Sequence, residues 1–360
     1  MQTPYILPFE NCDKAMLGRV GGKCASLGQM TGAGAPVPPG FAITTDAYKR
    51  MLAADGLAQR VDAALQAIQY GHVNQEETTS RMIRALIEAA PMPADVEADI
   101  RAAYAALCAR LGSSAVPVAV RSSATAEDLP GASFAGQQDT FLWIIGPDAV
   151  VAHVRKCWSS LYTARAIVYR HDKGFANEQV HMAVAVQKMA NARVAGVAMT
   201  LNPINGDRSK VVIDASWGLG ESVVGGTVTP DNFHVDKVIH EITARHISPK
   251  TTELVPDFAA GCTVVRDVEP DRQTIACLTD AEIVAIAKTA RQLEKQAGVP
   301  QDVEWALDAD LPVGQDIVLL QSRPETVWSQ RQAAESKSYS TGVLGVLGTL
   351  MTPLKVKKDD

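Results

Sequence analysis

Phosphate chemistry needs backbone amides free to point at oxygens, together with a lysine or arginine that can reach the same oxygens. Three places in the sequence could supply this. The first is Gly21-Gly22-Lys23, inside the glycine-rich stretch GRVGGKCASLGQMTGAGAPVPPG. The second is Arg121, which leaves the strand-like segment VPVAVRSS into Ser122, Ser123 and Thr125. Next comes ATAEDLPGASFAGQQDT, a small, polar, glycine-bearing run with neither helical nor strand period, expected to be a loop. Taken alone, Arg121 reads better as an arginine held in an ion pair at a strand end. The third place is a closing pair of strand-like segments, DVEWAL and DIVLLQS, where Asp302 and Glu304, then Gln321 and the Arg323 that follows the second segment, fall at alternating positions. Alternation puts each pair on one face of its strand. Carboxylate and carboxamide oxygens sharing a face can hold Mg²⁺, and an arginine beside them can hold phosphate.

Two common nucleotide motifs fail on residue identity. A P-loop needs glycine five positions before Gly22, where Leu17 stands, and Ser or Thr after the lysine, where Cys24 stands. The dinucleotide fingerprint fails twice, because Gly32-Ala33-Gly34 runs on to Val37 and Gly218-Leu219-Gly220 runs on to Val223.

The elements that must position these residues follow from periodicity. Leu27 and Met30 suit a short helix ended by glycines and prolines before a strand at 41–44, which places Lys23 near a helix start. From about Thr45 to Leu111 the text is helical, with Val96, Ile100, Tyr104, Leu107 and Leu111 on one face. Strands are predicted at 141–145, 183–189, 194–200 and 211–217, with an amphipathic helix over 149–158. A helix over 279–297 carries a capping-box pattern at Thr279 and Glu282 and stops at Gly298. After about Trp328 the chain reads as a tail. Trp143, Trp158 and Trp305 read as core, Lys188 as a lysine with a solvated head, and Trp217 equally as a packing residue or a ligand contact.

Composition sets the class. The chain has 360 residues, 47% of them hydrophobic, enough for more than one core-bearing lobe. A net charge of −6 argues against nucleic acid or an anionic membrane as partner. The first residues lack a basic segment followed by an apolar one, and no apolar run approaches the roughly 18 residues of a spanning helix, so a cytoplasmic location is expected. Six cysteines without a CxxC pair and seven histidines without ligand spacing give no sign of disulfides or zinc.

The segments GGKCASLGQM, PVPPGFAITTDAY, VAVRSSATAEDLPGASFAGQQDTFL, VQKM, WGLGESVVGGTVTPD and QDVEWAL with LLQSRPET, in this order over residues 10–327, resemble the ATP-grasp domain shared by phosphoenolpyruvate synthase, pyruvate phosphate dikinase and rifampicin phosphotransferase. The resemblance implies an α+β chain of two lobes with nucleotide between them, plus a helical N-terminal region. Its divisions would be an N-terminal lobe with a helical insertion at 1–190, a C-terminal lobe at 191–327, and a tail or linker at 328–360. It implies roles residue by residue. Lys23, Arg121 and Ser122 would hold phosphates beneath the loop after Arg121. Gln187, Lys188 and Met189 would form the hinge against adenine, and Glu221 would face the nucleotide near the ribose. Glu304 and Gln321 would coordinate Mg²⁺, and Arg323 would stabilise charge on the transferring group. Asp302 matches an acidic family position.

In the resembled enzymes a histidine on a swivelling domain accepts the phosphate, in a short motif with Thr or Ser and Gly. None of His72, His153, His171, His181, His234, His240 and His246 has that context. The expectation is therefore an ATP-binding phosphotransferase subunit that passes phosphoryl or pyrophosphoryl from Mg-ATP to a histidine on a partner subunit or domain. A start at Met near the domain start and a tail of its own resemble the divided phenylphosphate synthase, where ATP, phenol and water give phenylphosphate, AMP and phosphate. The alternatives are an N-terminal fragment of phosphoenolpyruvate synthase and a non-catalytic nucleotide-binding subunit. Retention of Lys23, Arg121, Glu304, Gln321 and Arg323 together argues against the last.

Overall fold

The computed structural model describes residues 4–125, 128–129, 132–133, 139–174, 180–326 and 328. Most of the loop predicted after Arg121, and the tail beyond Trp328, lie outside them. In chain order the elements are β1 (Ile6–Pro8), α1 (Leu17–Gly32), β2 (Gly40–Ile43), α2 (Thr45–Leu52), α3 (Leu57–Gln66), α4 (Val73–Ala89), α5 (Ala94–Arg110), β3 (Val118–Ala124), β4 (Asp128–Leu129), β5 (Ala132–Ser133), β6 (Thr140–Ile144), α6 (Pro147–Ser159), α7 (Ala164–Asp172) and β7 (Met182–Lys188). They continue with β8 (Ala192–Met199), β9 (Lys210–Trp217), α8 (Glu221–Val224), β10 (Asp231–Asp236), β11 (Ile242–His246), β12 (Thr252–Asp257), β13 (Cys262–Asp267), α9 (Asp280–Ala297), β14 (Gln301–Asp308) and β15 (Ile317–Pro324).

Two antiparallel sheets organise the chain, which is an α+β protein. One has the order β1-β2-β7-β3-β6 and the other β11-β10-β9-β8-β14-β15. Helices gather on particular faces and do not alternate with parallel strands, as antiparallel pairing allows. The period of two along β2 and β7 sorts their side chains. Phe41, Ile43, Val184 and Val186 join the core made with α2 to α7, while Ala42 and Ala185 face α1 and join the core that runs into the second sheet. That second core also takes Leu27 and Met30 from α1 and Ile283, Ile286 and Leu293 from α9.

Helix α9 forms as its caps dictate: Thr279 accepts from Glu282 N, Glu282 returns a bond to Thr279 N, and Gly298 closes it with φ 72°. Helix α1 is longer than its apolar pattern suggested and is broken inside, because Gly21 sits at φ 72°, ψ 171°. The break brings α1 against β3. A Cβ on Gly21 would lie 2.0 Å from Ser123 O. Ser123 holds the kink closed, its Oγ donating to Val20 O at 2.8 Å and accepting from Cys24 N at 3.1 Å. Lys23 is thereby placed at the start of the second helical segment. Gly21→Ala combines left-handed strain with a backbone overlap and should destabilise the fold by roughly 2–5 kcal/mol. A chemical denaturation midpoint equal to that of the unmodified protein would show that the kink is not required.

Strands β10 to β13 lie in text where no strand was predicted one by one. β13 is almost wholly exposed along CTVVRD, so it lacks the apolar alternation that marks a half-buried strand.

Candidate functional site

A cavity of about 880 Å³ lies between the two sheets, walled by β3, β6 and β7 on one side and by β8, β14 and β15 on the other. Lys23, Arg121, Ser122, Gln187, Lys188 and Met189 line it from the first side, and Glu304, Gln321, Arg323 and Glu221 from the second. Asp302 does not line it. Its carboxyl is pushed up by burial, with Glu325 and Glu304 adding and Arg323 opposing.

The cavity has a polar end and an apolar end. At the polar end Arg121, whose side chain is only 11% exposed, bridges the two sheets. Its Nη1 donates to Gln187 Oε1 at 3.3 Å and to Leu320 O at 2.8 Å. Its Nη2 donates to Glu304 Oε2 at 3.1 Å and to Gln321 Oε1 at 2.8 Å. The strand-end ion pair is thus real, yet it lies inside a cavity. Glu304 stands directly across from Gln321 in the β14–β15 register, and Asp302 across from Arg323. Lys23, also buried, donates from Nζ to Ser122 O at 2.7 Å. Arg323 differs from these two cations. Its side chain is 43% exposed and its Nε stands 4.0 Å from Asp302 Oδ2, a loose surface pair.

The apolar end is built by Ala119, Met189, Ala190, Ala192, Leu219 and Ala306, which form a small cluster of their own with Trp143. Leu142 closes it from β6, and Gly196 forms part of its floor. A Cβ on Gly196 would lie 1.9 Å from Asp214 O, so only glycine lets β8 and β9 approach this closely. Glu221 opens α8 at the exposed rim, where the desolvating wall raises its carboxyl pKa.

Residues 17–342 match the family described as pyruvate phosphate dikinase, AMP/ATP-binding domain. The chain belongs to this family. A probable phosphoenolpyruvate synthase of Staphylothermus marinus is 43% identical over 365 residues, covering 95% of this chain and 43% of that protein. The phosphoenolpyruvate synthase of Pyrococcus furiosus is 39% identical over 93% of this chain and 45% of its own length. The rifampicin phosphotransferase of Streptomyces sviceus is 39% identical over 98% of this chain and 39% of its own length. The chain therefore spans less than half the length of these relatives.

A cavity with a cation-bearing polar end and an apolar end suits the AMP/ATP-binding family, since phosphates and base need opposite surroundings. Among the described residues there is no cluster of three or more His, Cys, Asp or Glu that could hold a metal. A Mg²⁺ ion carried on a nucleotide needs no such cluster, because it takes phosphate oxygens, waters and one or two protein oxygens. Glu304 and Gln321 fit that requirement, since an oxygen of each converges on the same Nη2 of Arg121.

One reading from sequence needs an addition, and one open choice is decided. Lys188 is partly exposed, as a solvated head requires, but its ammonium is also held in an ion pair. Its Nζ is 2.9 Å from Asp308 Oδ2, a carboxylate only 1% exposed, because β7 ends beside the end of β14. Trp217 does not line the cavity and serves packing. Its Nε1 donates to Arg272 O at 3.2 Å, and the Arg272 guanidinium sits 4.3 Å from its ring. Trp143, Trp158 and Trp305 are buried, as expected of core residues. Sequence reasoning missed Asp308, Phe141, Leu142, Leu219 and Gly196. The apolar ones read as ordinary core positions, and nothing local marks Asp308 as buried.

Proposed function

We propose that this chain is the ATP-binding part of a dikinase-type phosphotransferase, with an ATP-grasp arrangement in which the two sheets belong to two lobes, 1–190 and 191–327. ATP lies in the cavity between them, base at the apolar end and phosphates at the polar end. The observation that carries this reading is the convergence of Lys23, Arg121, Glu304, Gln321 and Arg323, from four separate stretches of sequence, on one end of a single cavity.

Each side chain then has a definite task. Lys23 and Arg121 neutralise phosphate oxygens, with Ser122 beside them. Arg121 exchanges its bonds to Glu304 and Gln321 for bonds to phosphate, which frees those two oxygens to hold Mg²⁺. The ion, when bound with ATP, supplies charge neutralisation across the phosphates. Arg323, the most loosely held cation, can fork onto the group in flight. Catalysis of this kind is positioning and electrostatics, with little covalent work for the ATP site.

The nucleophile is a histidine beyond these residues. None of the seven histidines lines the cavity among the described residues, so the reading takes the acceptor from a swivelling domain elsewhere in a longer protein or on a partner subunit. For the final acceptor, the named relatives favour pyruvate: ATP, pyruvate and water would give phosphoenolpyruvate, AMP and phosphate. The divided phenylphosphate synthase arrangement shares the same first step and is the second reading. The test is incubation with terminally and internally labelled ATP and a histidine-bearing domain of the phosphoenolpyruvate synthase type. Acid-labile, base-stable label on that domain is the expected result. Saturable ATP binding with no label on any such domain, and ATP turned over by the chain alone, would point to another acceptor.

A further inference from the structure

Beside the apolar wall of the cavity stands the charged side chain of Lys188, and a buried carboxylate stands behind it. Asp308 is only 1% exposed at its side chain and accepts three bonds. Lys188 Nζ donates to its Oδ2 at 2.9 Å, while the backbone amides of Asn191 and Asp310 donate to its Oδ1 at 3.2 and 3.1 Å. Around it Ala309 N donates to Asn191 O at 2.8 Å, and Asn191 Nδ2 to Asp310 Oδ1 at 2.9 Å. Burying a carboxylate is costly unless charge and hydrogen bonds compensate it, and here two of the three bonds, the charged one among them, come from one short stretch where β7 runs into β8, while the third comes from Asp308's own turn. That connection is the single covalent step from the first sheet to the second, and its Met189 and Ala190 form the apolar wall. An ammonium has three donors, and Asp308 takes one.

We propose that Asp308 is a positioning residue for base recognition: it fixes the Lys188 ammonium and the backbone of 189–191 against the base of a purine nucleoside triphosphate. The inference rests on the placement of the base at the apolar end. Asp308 touches no ligand itself and acts through Lys188 and the connection. It therefore sets affinity for a nucleotide and leaves affinity for a bare polyphosphate alone, because, among the described residues, Lys23, Arg121 and Arg323 at the phosphate end make no hydrogen bond or ion pair with Asp308 or Lys188.

The test compares Kd for Mg-ATP and for Mg-tripolyphosphate, measured by calorimetry on the full chain, in the unmodified protein, Asp308→Asn and Lys188→Met. In Asp308→Asn, Kd for Mg-ATP should rise about tenfold, the effect of losing one charge-assisted bond, with Kd for tripolyphosphate changed less than about twofold. Lys188→Met, at a partly exposed position, should show the same selective loss and decides the matter if Asp308→Asn does not fold. Unchanged ATP affinity in Lys188→Met, or equal weakening of both ligands in either variant, would overturn the proposal. Failure of the unmodified protein to bind ATP would instead overturn the placement of ATP in this cavity.

Discussion

Arg323→Ala is expected to slow phosphoryl transfer to the acceptor histidine about a thousandfold, the lower range for loss of an arginine that stabilises charge on a transferring phosphoryl group. The fold should hardly notice. The side chain is 43% exposed and its nearest carboxylate oxygen is 4.0 Å away, so the lost pair is worth at most about 1 kcal/mol. Arg121 could not serve as the same probe. It is buried and makes four bonds, three of which tie the sheets together, so its removal would strand Glu304 and confuse chemistry with folding. Arg323→Lys should also be damaging, because an ammonium cannot copy a two-pronged contact. Labelled-phosphate transfer and a melting curve on the same preparation decide the matter. Undiminished transfer by folded Arg323→Ala would remove Arg323 from the chemistry, and a large drop in melting temperature would assign it to the structure.

The second large effect is expected at Glu304. Glu304→Gln keeps shape and leaves an oxygen to accept from Arg121 Nη2, so the bridge between the sheets persists while the negative charge goes. Transfer should fall on the order of a hundredfold or more, as when one electrostatic stabiliser of developing charge is removed. Affinity for ATP should fall much less, since the groups proposed to hold the base, and Lys23, lie elsewhere along the cavity. Rates measured at saturating ATP, with binding measured separately, distinguish these terms. Full activity of Glu304→Gln would contradict the assignment of Glu304 to the metal.

The polar end of the site was legible because its chemistry is written locally. Gly21-Gly22-Lys23 and the alternating pairs Asp302 with Glu304 and Gln321 with Arg323 stand out by residue type and spacing. The helix over 280–297 was legible for the same reason, through Thr279, Glu282 and Gly298. What sequence could not supply is distance across the fold. The partners of Arg121 are 66 to 200 residues away, and the register that sets Glu304 opposite Gln321 includes an irregularity after Glu304 that no spacing reveals. The ion pair of Lys188 was missed for this reason, because its partner Asp308 lies 120 residues on. β13 was missed for a different one: an exposed ribbon has no buried face to impose a period of two.

The most direct test of the account is a calorimetric titration of the purified chain with ATP in the presence of Mg²⁺. One saturable site per chain, competed by Mg-tripolyphosphate, is the predicted result, because the groups argued to hold base and phosphates line one cavity of this chain. Absence of ATP binding by the folded protein with Mg²⁺ present would contradict it.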